Sequence, residues 1–256
     1  MAMIEFRGLT KRFGEVLAVD DLTVDVPAGQ VTGILGPNGA GKSTALRLAL
    51  GLLRPTAGQV LVSGRPYARL PRPRRTVGAV LDGEGFHPGR TGRDHLRIQA
   101  RLVGVPLSRT EEVLEGVGLT AQAGRRVGGY SLGMRRRLGL AAALLGDPQV
   151  LVLDEPANGL DPAQIAWLRG LLRDTAAQGR TVVVSSHVLG EVARTVDRVT
   201  ILQDGRLRWA GPVGSLTRPG ECLEDAFLRV TSPADGAGSG ARATSPARCW
   251  SPGGPR

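Results

Sequence analysis

Short apolar runs alternate with stripes of helical spacing along the 256-residue chain. Residues 3–7 and 22–26 read as strands, with a turn near Gly14. Val31 to Leu35 is an apolar, β-rich run followed at once by glycines, and Lys42 to Leu53 has helical spacing with Pro55 just beyond its end. Val60 to Val62 and Val77 to Leu81 read as further strands. From about Thr91 to Gly146 the pattern turns helical, through Leu96, Ile98, Leu102 and Val103 and then Val113, Leu114 and Val117. Strands return at Val150 to Leu153, Val182 to Ser185 and Val199 to Leu202, while Ile165, Leu168, Leu171 and Leu172 fall on one helical face. Strands alternating with helices predict an α/β fold: a parallel sheet with helices packed on it, an N-terminal β subdomain and a helical subdomain inserted at about 91–146. Gln203-Asp204-Gly205-Arg206 reads as a hairpin turn, because Asp-Gly suits positions with φ > 0. Glu221 to Val230 reads as a last helix. From Thr231 the chain is Ser, Pro, Gly, Ala and Arg with almost no apolar content, so 231–256 is expected to be a disordered tail behind a folded domain at 3–230.

Composition narrows the class. Apolar residues make up 41% but aromatics only 4%, so the core must rest on Leu, Val, Ile and Ala. No stretch approaches the roughly 20 apolar residues of a membrane-spanning helix, and the longest run, Leu138 to Leu145, reads as a buried helix. The first residues contain no apolar segment of the kind a secretory signal uses. Two cysteines, Cys222 and Cys249, give no disulfide framework, and a reducing cytoplasm fits. The formal charge is +10, nearly all of it arginine; lysine occurs only at Lys11 and Lys42. A basic balance of this size suits nucleic acid, anionic headgroups, nucleotide, or simply a solvated surface. The arginine run at 69–75 carries the same choice between headgroups and a solvated loop.

Residues 36–44, GPNGAGKST, match G-x-x-x-x-G-K-[ST] at Gly36, Gly41, Lys42 and Ser43. A triphosphate carries several negative charges, and successive backbone N–H groups cradle them only where no side chain blocks the approach. The following helix aims its positive end at the phosphates. In this arrangement Lys42 reaches the β- and γ-phosphates and the Ser43 hydroxyl ligates Mg²⁺, with Pro37, Asn38, Gly39, Ala40 and Thr44 completing the loop. The predicted architecture is therefore a P-loop nucleoside triphosphatase core that binds a nucleoside triphosphate.

Residues 150–156, VLVLDEP, form an apolar strand ending in two carboxylates, at the sheet edge where open α/β folds bind ligands. Asp154 suits Mg²⁺, through water, and Glu155 suits the polarisation of an attacking water.

With these residues in place, YSLGMRRRLGLA at 130–141 resembles the signature motif of the ABC transporter ATP-binding family, whose usual core is LSGGQ. NGLD at 158–161 looks like that family's D-loop, SSH at 185–187 like its switch histidine, and Phe13 sits where it places an aromatic that stacks on adenine. The resemblance covers about residues 3–216 with five motifs in the right order. It implies a head-to-tail pair of ATP-binding subunits with two ATP molecules sandwiched between them. Ser131 and Gly133 of one subunit then contact the γ-phosphate held by the other, His187 reports that phosphate, and Asp161 links the two sites. It also implies a separate transmembrane permease subunit, a peripheral position on the cytoplasmic face of the membrane, and efflux of a drug, antibiotic or lantibiotic. No nucleic acid is expected as a partner.

The sequence departs from the family pattern in two places. Tyr130, Leu132 and Met134 replace Leu, Gly and Gln in the signature, and Asp82 stands where the family carries a glutamine. Asp82 remains a metal ligand in this reading but brings a negative charge near the triphosphate. Two other readings use the same residues. A soluble ABC ATPase acting on nucleic acid or the ribosome fits the basic charge, but the chain has one P-loop and no sustained heptads. A non-hydrolysing scaffold has only Asp82 in its favour.

Overall fold

The computed structural model describes residues 2–81, 85–188, 190 and 194–232. Two sheets organise them. The first is antiparallel, in the order β2-β1-β4, and contains β1 (Ala2–Phe13), β2 (Val16–Pro27) and β4 (Ala57–Val62). The second has the order β5-β6-β7-β3-β8-β9. Its first five strands are parallel: β5 (Val77–Val80), β6 (Val150–Leu153), β7 (Thr181–Ser186), β3 (Val31–Leu35) and β8 (Arg198–Gln203). β9 (Arg206–Pro212) closes one edge antiparallel to β8, across a turn with Asp204 at φ 51° and Gly205 at φ 77°. That is the expected Asp-Gly hairpin.

The parallel strands are mostly apolar because both faces are largely covered. Leu151 and Leu153 of β6 and Val182 and Val184 of β7 join one core. This core also contains α3 (Gly92–Val103), α4 (Arg109–Gly116), α5 (Leu132–Leu144) and α6 (Pro162–Ala177) through Leu96, Leu114, Leu138 and Leu168. Val150, Val152 and Val183 point the other way, into a second core with α1 (Lys42–Ala49) and the antiparallel sheet. Burying each such Leu or Val fully is worth about 1.5–3 kcal/mol, so the bare alternation of the pleat assigns every residue a side. A short α2 (Pro73–Thr76) leads into β5, and α7 (Leu223–Thr231) ends the described chain.

Several boundaries move. The first two strands run to 12 residues each, because antiparallel pairing continues along the partly exposed ends of the hairpin. Helix α1 stops at Ala49 rather than Leu53, since Gly51 turns the chain at φ 66°. The last helix includes Thr231, where the tail was expected to begin. The rest of that expected tail, from residue 233, lies outside the described residues.

Strand register places the chemistry. Leu35 lies opposite Ser186 and Leu153 opposite Val184, so the carboxyl ends of β3, β7 and β6 come out side by side. The loop after β3, the acidic pair after β6 and the residue after β7 therefore meet at one edge, where ligands enter such sheets.

Candidate nucleotide site

A cleft of about 420 Å³ opens there, and its walls include Asn38 to Thr44, Glu155 and His187. Asn158 and Ala18 complete it, neither of which the motifs had singled out as ligands. Gly36 and Pro37 contribute through their carbonyls rather than the wall itself.

The loop enters α1 through Gly41, which has φ 97° and no side-chain cap. A Cβ there would stand 2.4 Å from the Ala18 carbonyl oxygen, so glycine is required by both angle and space. With no capping side chain and no acid in its first turn, the positive end of α1 is left open to an anion. Lys42 is buried at 5% exposure. Its ammonium donates to the carbonyls of Gly36 (2.9 Å) and Pro37 (3.2 Å) and lies 3.3 Å from Glu155 Oε1.

Asp154 is fully buried. Its Oδ1 accepts from Ser43 Oγ at 3.0 Å and from Ser185 Oγ at 2.6 Å, while Oδ2 has no hydrogen-bond partner. A buried carboxylate oxygen left in this state is costly unless a cation or its water shell meets it. The hydroxyl and carboxylate side by side fit an oxygen-ligated Mg²⁺. No group of three or more His, Cys, Asp and Glu suited to a metal occurs among the described residues.

Glu155 follows at φ 47°, an angle uncommon for a non-glycine residue and one that turns the chain sharply out of β6. Its N–H donates to Ser185 Oγ at 2.9 Å, so one serine holds both acidic residues. Ser185 lay within the quoted SSH motif but was not assigned a role; its place in the strand gave no sign of the second bond. His187, exposed at the end of β7, sets Nδ1 2.8 Å from Glu155 Oε2. Lys42, Glu155 and His187 thus form one continuous polar chain.

Three expected ligands stand apart from this cleft. Phe13 is 45% exposed at the tip of the β1–β2 hairpin, with Lys11 Nζ 4.8 Å from its ring centre. Ser131 is exposed and caps α5, accepting from the Met134 N–H at 3.2 Å. Gly133 is buried, and a Cβ there would meet the Gln164 side-chain amide at 2.3 Å. Gln164 also closes a capping box with Asp161 at the start of α6. The start of α5 is thereby packed onto the start of α6. Asp82 lies outside the described residues.

An uncapped helix behind a glycine loop, a buried lysine and a Ser–Asp pair at the carboxyl edge of a parallel sheet define a P-loop nucleoside triphosphatase. The sequence pattern of the ABC transporter family matches residues 19–158. The bacitracin transport ATP-binding protein of Bacillus licheniformis is 41% identical over 208 residues, covering 80% of this chain and 68% of that protein. The Nod factor export ATP-binding protein I of Burkholderia lata is 41% identical over 213 residues, covering 80% and 69%. A solved structure of an ATP-binding subunit of an ABC transporter superposes with a TM-score of 0.82 at 26% identity, covering 90% of this chain and all of the other. The chain belongs to the ABC transporter ATP-binding family, and it is an ATPase that takes ATP with Mg²⁺.

Proposed function

We propose that this subunit powers export of a drug, antibiotic or related small molecule through a separate transmembrane subunit, acting as one of a pair at the cytoplasmic face of the membrane. The observation that carries the reading is the polar chain Lys42–Glu155–His187 in a cleft whose counterpart, Ser131, faces solvent elsewhere on the same molecule. The names of the relatives, transport of bacitracin and export of Nod factor, favour export. No helix among the described residues is long and apolar enough to cross a membrane, which leaves the translocation path to a partner.

In this reading the loop from Gly36 to Thr44 and the open end of α1 hold the triphosphate. Lys42 gives up its carbonyl contacts for phosphate oxygens. Ser43 and Asp154 hold Mg²⁺, which when bound offsets the charge of the triphosphate. Glu155, freed from Lys42, takes the proton of the attacking water at its carboxylate, and His187 steadies Glu155 and meets the γ-phosphate. Phe13 stacks on the base from the hairpin tip. Ser131 and the start of α5, exposed on one subunit, close over the phosphates held by its partner; Gly133 lets α5 sit against α6 so that this end is held in place. Loss of the γ-phosphate on hydrolysis removes the bridge between the two subunits and lets them part.

The test is to tag Glu155→Gln, express it in its native host, solubilise the membranes with Mg-ATP present and identify what co-purifies. A stoichiometric polytopic membrane protein is expected. A tagged subunit that stays alone, or comes with ribosomes or DNA, would retain the ATPase and remove the transporter.

A further inference from the structure

Strand β7 reads Thr-Val-Val-Val-Ser-Ser, and Ser185 near its end is fully buried. A hydroxyl taken out of water is costly unless its bonds are made, and a fourth valine would incur no such cost. The pleat decides which way this hydroxyl faces. Val182 and Val184 join the core under α5 and α6, and Val183 joins the core under α1. Ser185, two residues beyond Val183, falls on the α1 side, where Ser43 stands in that helix's first turn. Leu153 lies opposite Val184, so the next residues, Asp154 and Ser185, come out side by side.

A serine hydroxyl has one proton and two acceptor lone pairs. Ser185 Oγ gives its proton to Asp154 Oδ1 at 2.6 Å and accepts the Glu155 N–H at 2.9 Å. The polarity is fixed, because a peptide N–H can only donate. The first bond sets the rotation of the Asp154 carboxylate. With Oδ1 held by Ser185 and by Ser43, Oδ2 is the oxygen left for a cation. The second bond holds the peptide at Glu155, whose φ of 47° must be enforced by its surroundings. Lys42 and His187 also hold Glu155, but at its carboxylate, and both turn to phosphate in the proposed cycle. The Ser185 bond is to backbone and remains in place when they turn away.

We propose that Ser185 is a positioning residue of the ATPase. Through one hydroxyl it presents the free oxygen of Asp154 to Mg²⁺ and holds the Glu155 turn from which the base works, while touching neither cation nor water itself. The inference rests on the reading of Asp154 as the carboxylate that holds Mg²⁺, and it adds the group that orients it. Removing a partner that orients a metal-holding side chain changes metal affinity or activity by about 10–100-fold.

The experiment uses the purified full-length chain with a non-hydrolysable ATP analogue at saturating concentration. Mn²⁺ is titrated in and its binding read by electron paramagnetic resonance. Ser185→Ala should weaken Mn²⁺ binding by about 10–100-fold. It should also lower phosphate release from ATP at saturating Mg²⁺, because the base is no longer held at its turn. Binding of the analogue in EDTA should match wild type, since the phosphate loop and Lys42 do not depend on Ser185. Ser185→Thr keeps the hydroxyl on a residue suited to a strand and should restore both Mn²⁺ binding and phosphate release. Ser185→Cys, close in size but a weak donor, should follow the alanine variant, and it serves in its place if that variant does not fold. Wild-type Mn²⁺ affinity in the alanine or cysteine variant, a threonine variant as weak as alanine, or an equal loss of analogue binding in EDTA would each overturn the proposal. Asp154→Asn separates the two layers of the reading. Undiminished Mn²⁺ binding there would remove Asp154 as the metal-holding residue, and the proposal with it. Loss there beside wild-type binding in Ser185→Ala would remove the positioning role alone.

Discussion

The starts of α1 and α6 face the same physical problem and meet it in opposite ways. Any helix leaves its first four N–H groups without partners inside the helix. Helix α6 satisfies its own end: Asp161 accepts from Gln164 N–H at 2.8 Å, Gln164 reaches back, and Pro162 removes one donor altogether. Helix α1 has glycine at the cap, no side chain to accept and no acid in its first turn. Its end is complete only when an anion arrives. Helix α5 lies between the two, with Ser131 satisfying one donor while remaining exposed. A sequence that caps one helix with its own side chains and leaves another open has separated the end that stabilises the fold from the end that binds.

That contrast can be broken from either side. Glu155→Gln should reduce steady-state phosphate release by about 10²–10⁴-fold while ATP affinity is retained, because it removes the base and leaves the anion site intact. Lys42→Ala should weaken Mg-ATP binding by about two to three orders of magnitude in isothermal titration, and undiminished affinity would remove α1 from its role. Ser131→Arg should leave nucleotide binding by the single subunit unaltered yet abolish the ATP-dependent pair in sedimentation; a pair that still forms would sink the assignment of α5. Gly41→Ala should cost about 1–3 kcal/mol in urea unfolding without nucleotide present, from its angle and the Ala18 carbonyl. Smallest, Asp161→Ala should cost about 1 kcal/mol of stability with ATP affinity unchanged, as expected of an internal cap.

Local patterns made much of this legible. The apolar runs gave β3 and β6 their limits, Asp-Gly gave the β8–β9 turn, and glycines around a lone lysine gave the phosphate loop, since each is specified by adjacent residues. The acidic end of an apolar strand marked Glu155 and the family resemblance marked His187, and the fold then set them 2.8 Å apart. Ser185 was not legible as a bridge, because its two bonds join residues 30 and 31 positions away. Nor was the contact of Gln164 with Gly133, which joins two helices across 31 positions of sequence.

The sequence by itself determined which segments are strands and helices, where the chain turns, and which side chains are fit for phosphate and Mg²⁺. Those properties follow from periodicity, backbone freedom and the chemistry of neighbouring residues. Only the tertiary structure decided the strand order β6-β7-β3 and the register that brings three strand ends to one edge. It also decided the wiring of Lys42 to Glu155 and of Asp154 to Ser185, and left Ser131 exposed, outside the cleft that the phosphate loop lines. Packing of residues far apart in sequence fixes these relations, and no local pattern encodes them.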